Sequence, residues 1–234
     1  EKRKAFAFLF SQGSFLFSVY QKGCTSERIK DGHVFRKLNA QGKVFIEFAP
    51  LDKAWCPVDG DNFMYIYCLW VAGSFKGNGY GRELLEYAIN ESRIQEKNGI
   101  CTITSKKKKP FMAEKKFFEK YGFKVVDSIG DYELLSLNFC DEQPRFRDNA
   151  RKMEIEDKDL TIYYSEQCPF TANCIKEIEE YANENDIRIN IEKIDSLEKA
   201  KNVPCVFNNW ANFKDGKFVS NALMNKNMLE KMFK

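Results

Sequence analysis

The chain of 234 residues contains a single histidine, His33, and no two of its eight cysteines are spaced C-x-x-C. A structural zinc site draws four such ligands at short spacing, so no metal is expected. No run of 18 or more apolar residues occurs, which leaves no candidate for a membrane-spanning helix. The opening "EKRKAFAFLFSQGSFLFSVY" has the basic start and apolar run of a signal peptide. However, Ser11, Gln12, Gly13 and Ser14 interrupt the run, and no small-residue cleavage site follows. The cysteines are few and irregularly spaced for a chain this long, so reduced thiols in a cytoplasmic protein are expected rather than a disulfide scaffold. A strong charge of one sign is also lacking. The net charge is +3, with 24 basic and 19 acidic residues in the first 149, and 13 and 15 from Ala150 onward. That balance mildly favours an anionic ligand for the N-terminal part. It is too weak to argue for nucleic acid, and neither nucleic acid nor a membrane is expected as a partner.

What is present is ample core material, with 44% hydrophobic residues and 15% aromatics. From Cys140 to Asp159 the run "CDEQPRFRDNARKMEIEDKD" has no sustained apolar period. It divides the chain into a first domain over 1–145, a linker over 146–158 and a small domain over 159–234. In the first, "HVFRKL" and "KVFIEFA" are strand-like about a "NAQG" turn, and "NFMYIYCLWVAG" suits a central strand. A glycine turn leads into a helix that ends near Asn98-Gly99, and "ICTITS" follows as a strand. Pro110 then opens a helix through Tyr121, and "FKVVDS" and "YELLSLNF" close the segment. In the second, the strands are "LTIYYS", "IRINIEKI", "VPCVF" and "GKFVS", and the helices are "PFTANCIKEIEEYANEN" and "NKNMLEKMFK". The class is α/β throughout: a mixed sheet followed by a small α/β domain.

Gly77, Gly79 and Gly81 stand between an apolar strand and a long helix. Bare N–H groups and the helix dipole make such a turn a general anion site. A P-loop is excluded, because Arg82-Glu83 follows Gly81 where lysine and a hydroxyl are required. The dinucleotide fingerprint is excluded too: the spacing is G-x-G-x-G, and Ser105 with four lysines stands where an acid is needed.

"WVAGSFKGNGYGRELLEYAI" instead resembles the acetyl-CoA motif of the GNAT N-acetyltransferases, (Arg/Gln)-x-x-Gly-x-(Gly/Ala) with an upstream valine, here Val71. "FMAEKKFFEKYGF" resembles the family's second motif, an amphipathic helix ending in Gly-Phe. The resemblance implies a sheet whose fourth and fifth strands splay apart to admit the pantetheine arm of acetyl-CoA. Backbone groups of Leu69, Trp70 and Val71 would bond the pantetheine amides. Amides of Lys76, Gly77, Asn78, Gly79, Tyr80, Gly81 and Arg82 would take the pyrophosphate, with Ser105 and Phe118 completing the donor site. Lys76 replaces the usual Arg or Gln, and Phe118 stands where many members carry the tyrosine that protonates the departing thiolate. The acceptor would be an amine of a small molecule or peptide, acetylated by direct attack.

Neutralising an ordinary amine at pH 7 costs roughly 4–5 kcal/mol, so a base is needed. Glu47 in "VFIEFAP" is the first candidate, and Cys68 and Tyr121 are the other catalytic candidates. His33, beside a glycine in a polar segment, reads as a surface side chain.

In the second segment Cys168 begins a helix, where the dipole would favour a thiolate. Thr171 fills the slot of a second cysteine, so the site is monothiol. "NVPCVF" resembles the strand-opening Val-Pro of thioredoxin folds, whose proline is cis, and it makes Cys205 a better neighbour for Cys168 than Cys174. "FIEFAPLDKAWCPVDGDNFMYIYCLWV" and "FKDGKFVSNALMNKNMLEKMF" together resemble the bacterial YoaP-type acetyltransferases, whose C-terminal domain is thioredoxin-like. The alternative function is a thiol–disulfide protein acting through a depressed Cys168 thiol, with the first domain as a CoA-binding module.

Overall fold

The computed structural model describes residues 25–38, 43–109, 112–168 and 170–233. The "NAQG" turn and Pro110 lie outside the described residues. A short helix α1 (Thr25–Lys30) precedes β1 (Val34–Lys37) and β2 (Val44–Pro50). Next come β3 (Val58–Asp59), β4 (Phe63–Val71), α2 (Tyr80–Ile94), β5 (Gly99–Ser105), α3 (Lys115–Glu119), β6 (Lys124–Ile129) and β7 (Tyr132–Asn138). The large sheet runs β1-β2-β4-β5-β7-β6, and within it only β4 and β5 are parallel. This is the mixed α/β architecture expected from the alternating strand and helix signals.

Side-chain alternation gives the sheet two different faces. Ile46, Phe48, Met64 and Ile66 pack with Leu84, Leu85 and Ala88 of α2 and with Phe118 of α3. Ala49, Tyr65, Tyr67, Cys101 and Leu134 face the other way, in a cluster that includes Val206 and touches Phe218. The second face is therefore covered by the C-terminal part of the chain.

That part forms a second sheet from β9 (Leu160–Tyr164), β10 (Ile189–Lys193), β11 (Trp210–Lys214) and β12 (Lys217–Ser220), in the order β10-β9-β11-β12. β9 and β10 are parallel and β11 is antiparallel to β9. The helices are α4 (Thr171–Glu184), α5 (Leu197–Asn202) and α6 (Lys226–Phe233). α5 goes beyond the sequence reading and is capped by Ser196 Oγ, which accepts from Lys199 N–H at 3.2 Å. "VPCVF" is not a strand; Val203, Cys205, Val206 and Phe207 are buried in irregular chain and Trp210–Lys214 takes the strand's place. The helix read from Pro110 to Tyr121 is shorter, five residues from Lys115.

The segment 146–158 is not a bare linker. β8 (Arg145–Phe146) pairs with β3, Phe146 is fully buried, and Glu154 bridges to Lys217. Its polar composition hides this because one aromatic, Phe146, supplies most of the anchoring.

Candidate active site

β4 and β5 are hydrogen-bonded only from Phe63–Ile66 against Gly99–Thr102. Beyond that they part, leaving Tyr67 to Val71 and Ile103 to Ser105 on opposite walls of a cleft. A bulge marks the point of divergence: Glu47 faces Cys68 but Phe48 faces Ile66, so Tyr67 is the extra residue on β4. Thr102 Oγ1 donates to Ile66 C=O at 3.0 Å and pins the apex. Leu69 and Val71 are half-buried along the open wall, and Trp70 is exposed.

The glycine turn lies at the mouth of this cleft. Gly77 and Gly79 have φ of 83° and 79°, in the left-handed region that suits glycine, and open space lies where a Cβ would stand. The first bond of α2 runs from Glu83 N–H to Gly79 C=O, so the N–H groups of Tyr80, Gly81 and Arg82 have no helical acceptor. Asn78 Nδ2 donates to Phe75 C=O at 3.3 Å and holds the loop. Lys76 is exposed beside it, and Arg82 is paired with Glu86 at 2.7 Å.

Other donor-side expectations are placed differently. Ser105 is buried and its hydroxyl donates to Lys107 C=O at 2.6 Å, so it fastens the lysine loop. Phe118 is buried between Phe117 and Phe123, in the cluster against which Leu69 and Val71 pack, and Phe117 is the ring nearest Gly81. Tyr121 packs with its ring tilted against Phe117, centroids 5.2 Å apart, and acts electrostatically on Arg82, which sets it near the start of α2, on the α2 face. Glu47 and Cys68 belong to the opposite face.

Glu47 is buried, 5% exposed, and is held from two directions. His33 Nε2 donates to Glu47 Oε1 at 2.9 Å, and Gln167 Nε2, from the turn after β9, donates to the same oxygen at 3.3 Å. The His33 ring stacks on Tyr67 with centroids 5.4 Å apart, and Tyr67 Oη accepts from Trp55 N–H at 2.7 Å. His33 is thus an interior residue, contrary to the surface reading. Its glycine-flanked segment gave no sign of a partner fourteen residues away. Gln167 was not foreseen at all.

Cys68 stands directly across from Glu47. Burial pushes its thiol far up, with the Glu47 carboxylate and Cys168 adding to the effect, so it is a neutral S–H. Cys168 is also pushed up, first by burial, against a hydrogen bond from the Phe170 backbone and the pull of Lys43. The direction is opposite to the depressed thiol expected at a helix start, with burial as the largest cause. The Val203-Pro204 bond is trans. Cys205 lies in a separate buried cluster, and Cys68 and Cys174 are the thiols that interact with Cys168. Among the described residues no group of three or more His, Cys, Asp or Glu side chains is arranged to hold a metal ion, and no helix is long and apolar enough to cross a membrane.

Two family patterns match the chain: the acetyltransferase (GNAT) domain over residues 36–125 and the YoaP-like family over residues 188–231. The uncharacterized N-acetyltransferase YoaP of Bacillus subtilis is 36% identical over 208 residues, covering 88% of this chain and 83% of that protein. Solved structures with likeness include a GNAT family acetyltransferase from Elizabethkingia anophelis with acetyl-CoA bound, at 16% identity over 55% of this chain and 94% of that one, TM-score 0.40. Another is the ribosomal-protein-S18-alanine N-acetyltransferase of Escherichia coli, at 16% identity over 55% of this chain and 79% of that one, TM-score 0.36. The curated relative, similar over most of both chains, decides the matter: this chain belongs to the GNAT acetyltransferases, with the YoaP-like C-terminal segment.

Proposed function

We propose that the protein is an N-acetyltransferase that moves acetyl from acetyl-CoA to an amine by direct attack. The observation that carries this reading is the splay of β4 and β5, with a glycine cradle at one end and a buried, doubly held carboxylate at the other. The open space over Gly77 and Gly79 fits a pyrophosphate, and the unpaired amides of the first turn of α2 are the donors it requires. The edge of β4 from Leu69 to Val71 would bond the pantetheine amides. The co-substrate supplies an acetyl thioester. Glu47 accepts the proton of the amine as the C–N bond forms and the C–S bond breaks, and the N–H of Cys68 or Leu69 polarises the carbonyl. The departing sulfur takes its proton from water, since Phe118 offers none and burial makes the Cys68 thiol too weak an acid to protonate a thiolate.

The C-terminal sheet reads as thioredoxin-like. Its second, first, third and fourth strands lie side by side in that order, the first two parallel, with a helix after each of them and another at the end. The raised Cys168 thiol favours a structural over a redox use of that fold.

Isothermal titration of acetyl-CoA into the full chain tests the proposal. Binding in the micromolar range is expected, and no binding at millimolar concentration overturns it. Loss of acetyl-CoA in the presence of a panel of amines is the accompanying turnover assay.

A further inference from the structure

The carboxylate that serves the N-terminal sheet is partly held by the C-terminal one. Residues 43 and 47 lie on one face of the chain entering and forming β2, and the turn after β9 meets both of them. Gln167 bonds Glu47, and Lys43 Nζ lies 4.3 Å from the Phe170 ring centroid. Nearby, Asn208 Nδ2 donates to Tyr67 C=O at 3.3 Å, at the bulge. The wall of the cleft on the Glu47 side is therefore built from both sheets.

Two buried side chains of this face have polar atoms without a partner. Gln167 is 6% exposed; its Nε2 meets Glu47, and its Oε1 has no donor. A carboxylate accepts only, so the amide must present its NH₂ to Glu47 and its carbonyl to whatever enters beside it. Arg28 is 8% exposed, with its guanidinium 3.7 Å from the Trp55 ring centroid, and neither Nε nor Nη2 has a hydrogen-bond partner. Those two atoms form the side-on edge of the guanidinium, the edge that takes a carboxylate in two parallel bonds. A buried guanidinium is costly without a counter-charge, and among the described residues no carboxylate is paired with this one. The two orphans belong to one assembly. Arg28 lies over Trp55, Trp55 N–H bonds Tyr67, Tyr67 stacks on His33, and His33 bonds Glu47. Arg28 and Glu47 both act electrostatically on the Tyr67 hydroxyl.

We propose that the acceptor pocket is built across the two sheets, with Gln167 as a positioning residue for Glu47, and that it takes a small amine carrying a carboxylate, of the α-amino-acid class. This rests on the acetyltransfer reading above. The acceptor's carboxylate pairs with Arg28, and its amine lies between Gln167 Oε1 and Glu47. As the amine attacks the thioester, its proton passes to Glu47. His33, Glu47 and Gln167 are all more than nine-tenths buried, which fits a small acceptor better than the flank of a folded protein.

The test is acetyl-CoA turnover by the full chain with L-α-amino acids beside amines that lack the carboxylate, such as alanine with ethylamine and phenylalanine with phenethylamine. At least one amino acid is expected to exceed its amine in kcat/KM by on the order of tenfold or more. Arg28→Met should erase that preference by raising KM for the amino acid while leaving KM for acetyl-CoA unchanged. Gln167→Ala should lower kcat roughly tenfold at unchanged KM for acetyl-CoA, and Gln167→Glu, of the same size, should lower it further by setting a second carboxylate against Glu47. Two substitutions are used so that a failure of one to fold leaves the other to decide. Equal use of the bare amines, or acetyl-CoA binding with no amino acid acetylated, overturns the acceptor class. Wild-type kcat in both Gln167 variants overturns the cross-sheet pocket. Absence of acetyl-CoA binding overturns instead the reading on which both rest.

Discussion

Glu47 is the residue on which the chemistry turns, because a carboxylate removed from water is tolerable only when donors surround it. His33 and Gln167 supply those donors at 2.9 and 3.3 Å, both to one oxygen. Replacement by glutamine keeps the shape and removes the base. Glu47→Gln should lower kcat about a hundredfold or more while acetyl-CoA affinity, measured by calorimetry, stays within twofold of about its original value. The thiols carry a second prediction at this scale. Cys140 is exposed, whereas Cys168 is half-buried and pushed above the ordinary thiol range. Iodoacetamide at pH 7 should label Cys140 first, and the Cys168 rate should climb only as pH passes about 9, since the thiolate is the nucleophile. Fast labelling of Cys168 below pH 7 would sink this account. Cys56, pushed up to about 11 by burial, sets an alkaline limit on the fold. The folded state keeps this proton while the unfolded chain releases it near the ordinary thiol value. Stability is therefore complete below about pH 9 and falls as pH rises towards 11, a slope readable in urea midpoints.

At the scale of elements, the parts that come from local rules were readable and the parts that depend on distant partners were not. The strands β2, β4 and β5 and the helix after the glycine turn declare themselves by alternation and by φ-permissive spacing. The Gly79 position makes this testable. Valine there must adopt a φ of 79° and would fill the open space of the cradle. Gly79→Val should abolish measurable acetyl-CoA binding while leaving the far-UV spectrum nearly unchanged, because the helix continues from Tyr80 through well-packed Leu84 and Leu85. The misread elements share one cause. Val203 to Phe207 have a strand's composition, yet they are buried by packing between the two sheets and bond irregularly. Phe146 is the converse, one apolar residue in a charged run whose burial could not be seen without β3 as its partner. Glu47 could be placed beside the cleft from strand alternation alone, while His33 and Gln167 could not, since their bonds to it span 14 and 120 residues.

For the whole molecule the decisive contact is between the sheets, and it is made by buried polar groups as much as by apolar ones. Lys201 Nζ, on α5, donates to Leu51 C=O and Val58 C=O, both at 2.9 Å. Asn149 Nδ2 donates to Lys201 C=O and Val203 C=O, Tyr65 Oη to Asn208 Oδ1, and Tyr132 Oη to Asn221 Oδ1. A buried ammonium with two carbonyl acceptors fixes one docking geometry, since any shift strands the charge and both acceptors. Removing it leaves two carbonyls unpaired, at a cost of about 1–3 kcal/mol each, so Lys201→Ala should lower Tm by several degrees. The sharper consequence is functional. Among the described residues Lys201 bonds neither Glu47 nor the glycine turn, so a loose docking should act through the C-terminal groups that reach the cleft wall, Gln167 on Glu47 and Asn208 on Tyr67. Lys201→Ala is therefore expected to reduce kcat in the same direction as Gln167→Ala, with acetyl-CoA affinity preserved. In the double variant the two losses should fall short of additive, because both release the same hold on Glu47. Full additivity would mean that Lys201 acts on turnover by a route separate from Gln167, and an unchanged kcat in Lys201→Ala would mean that it serves stability only and that the turn after β9 keeps its place without it.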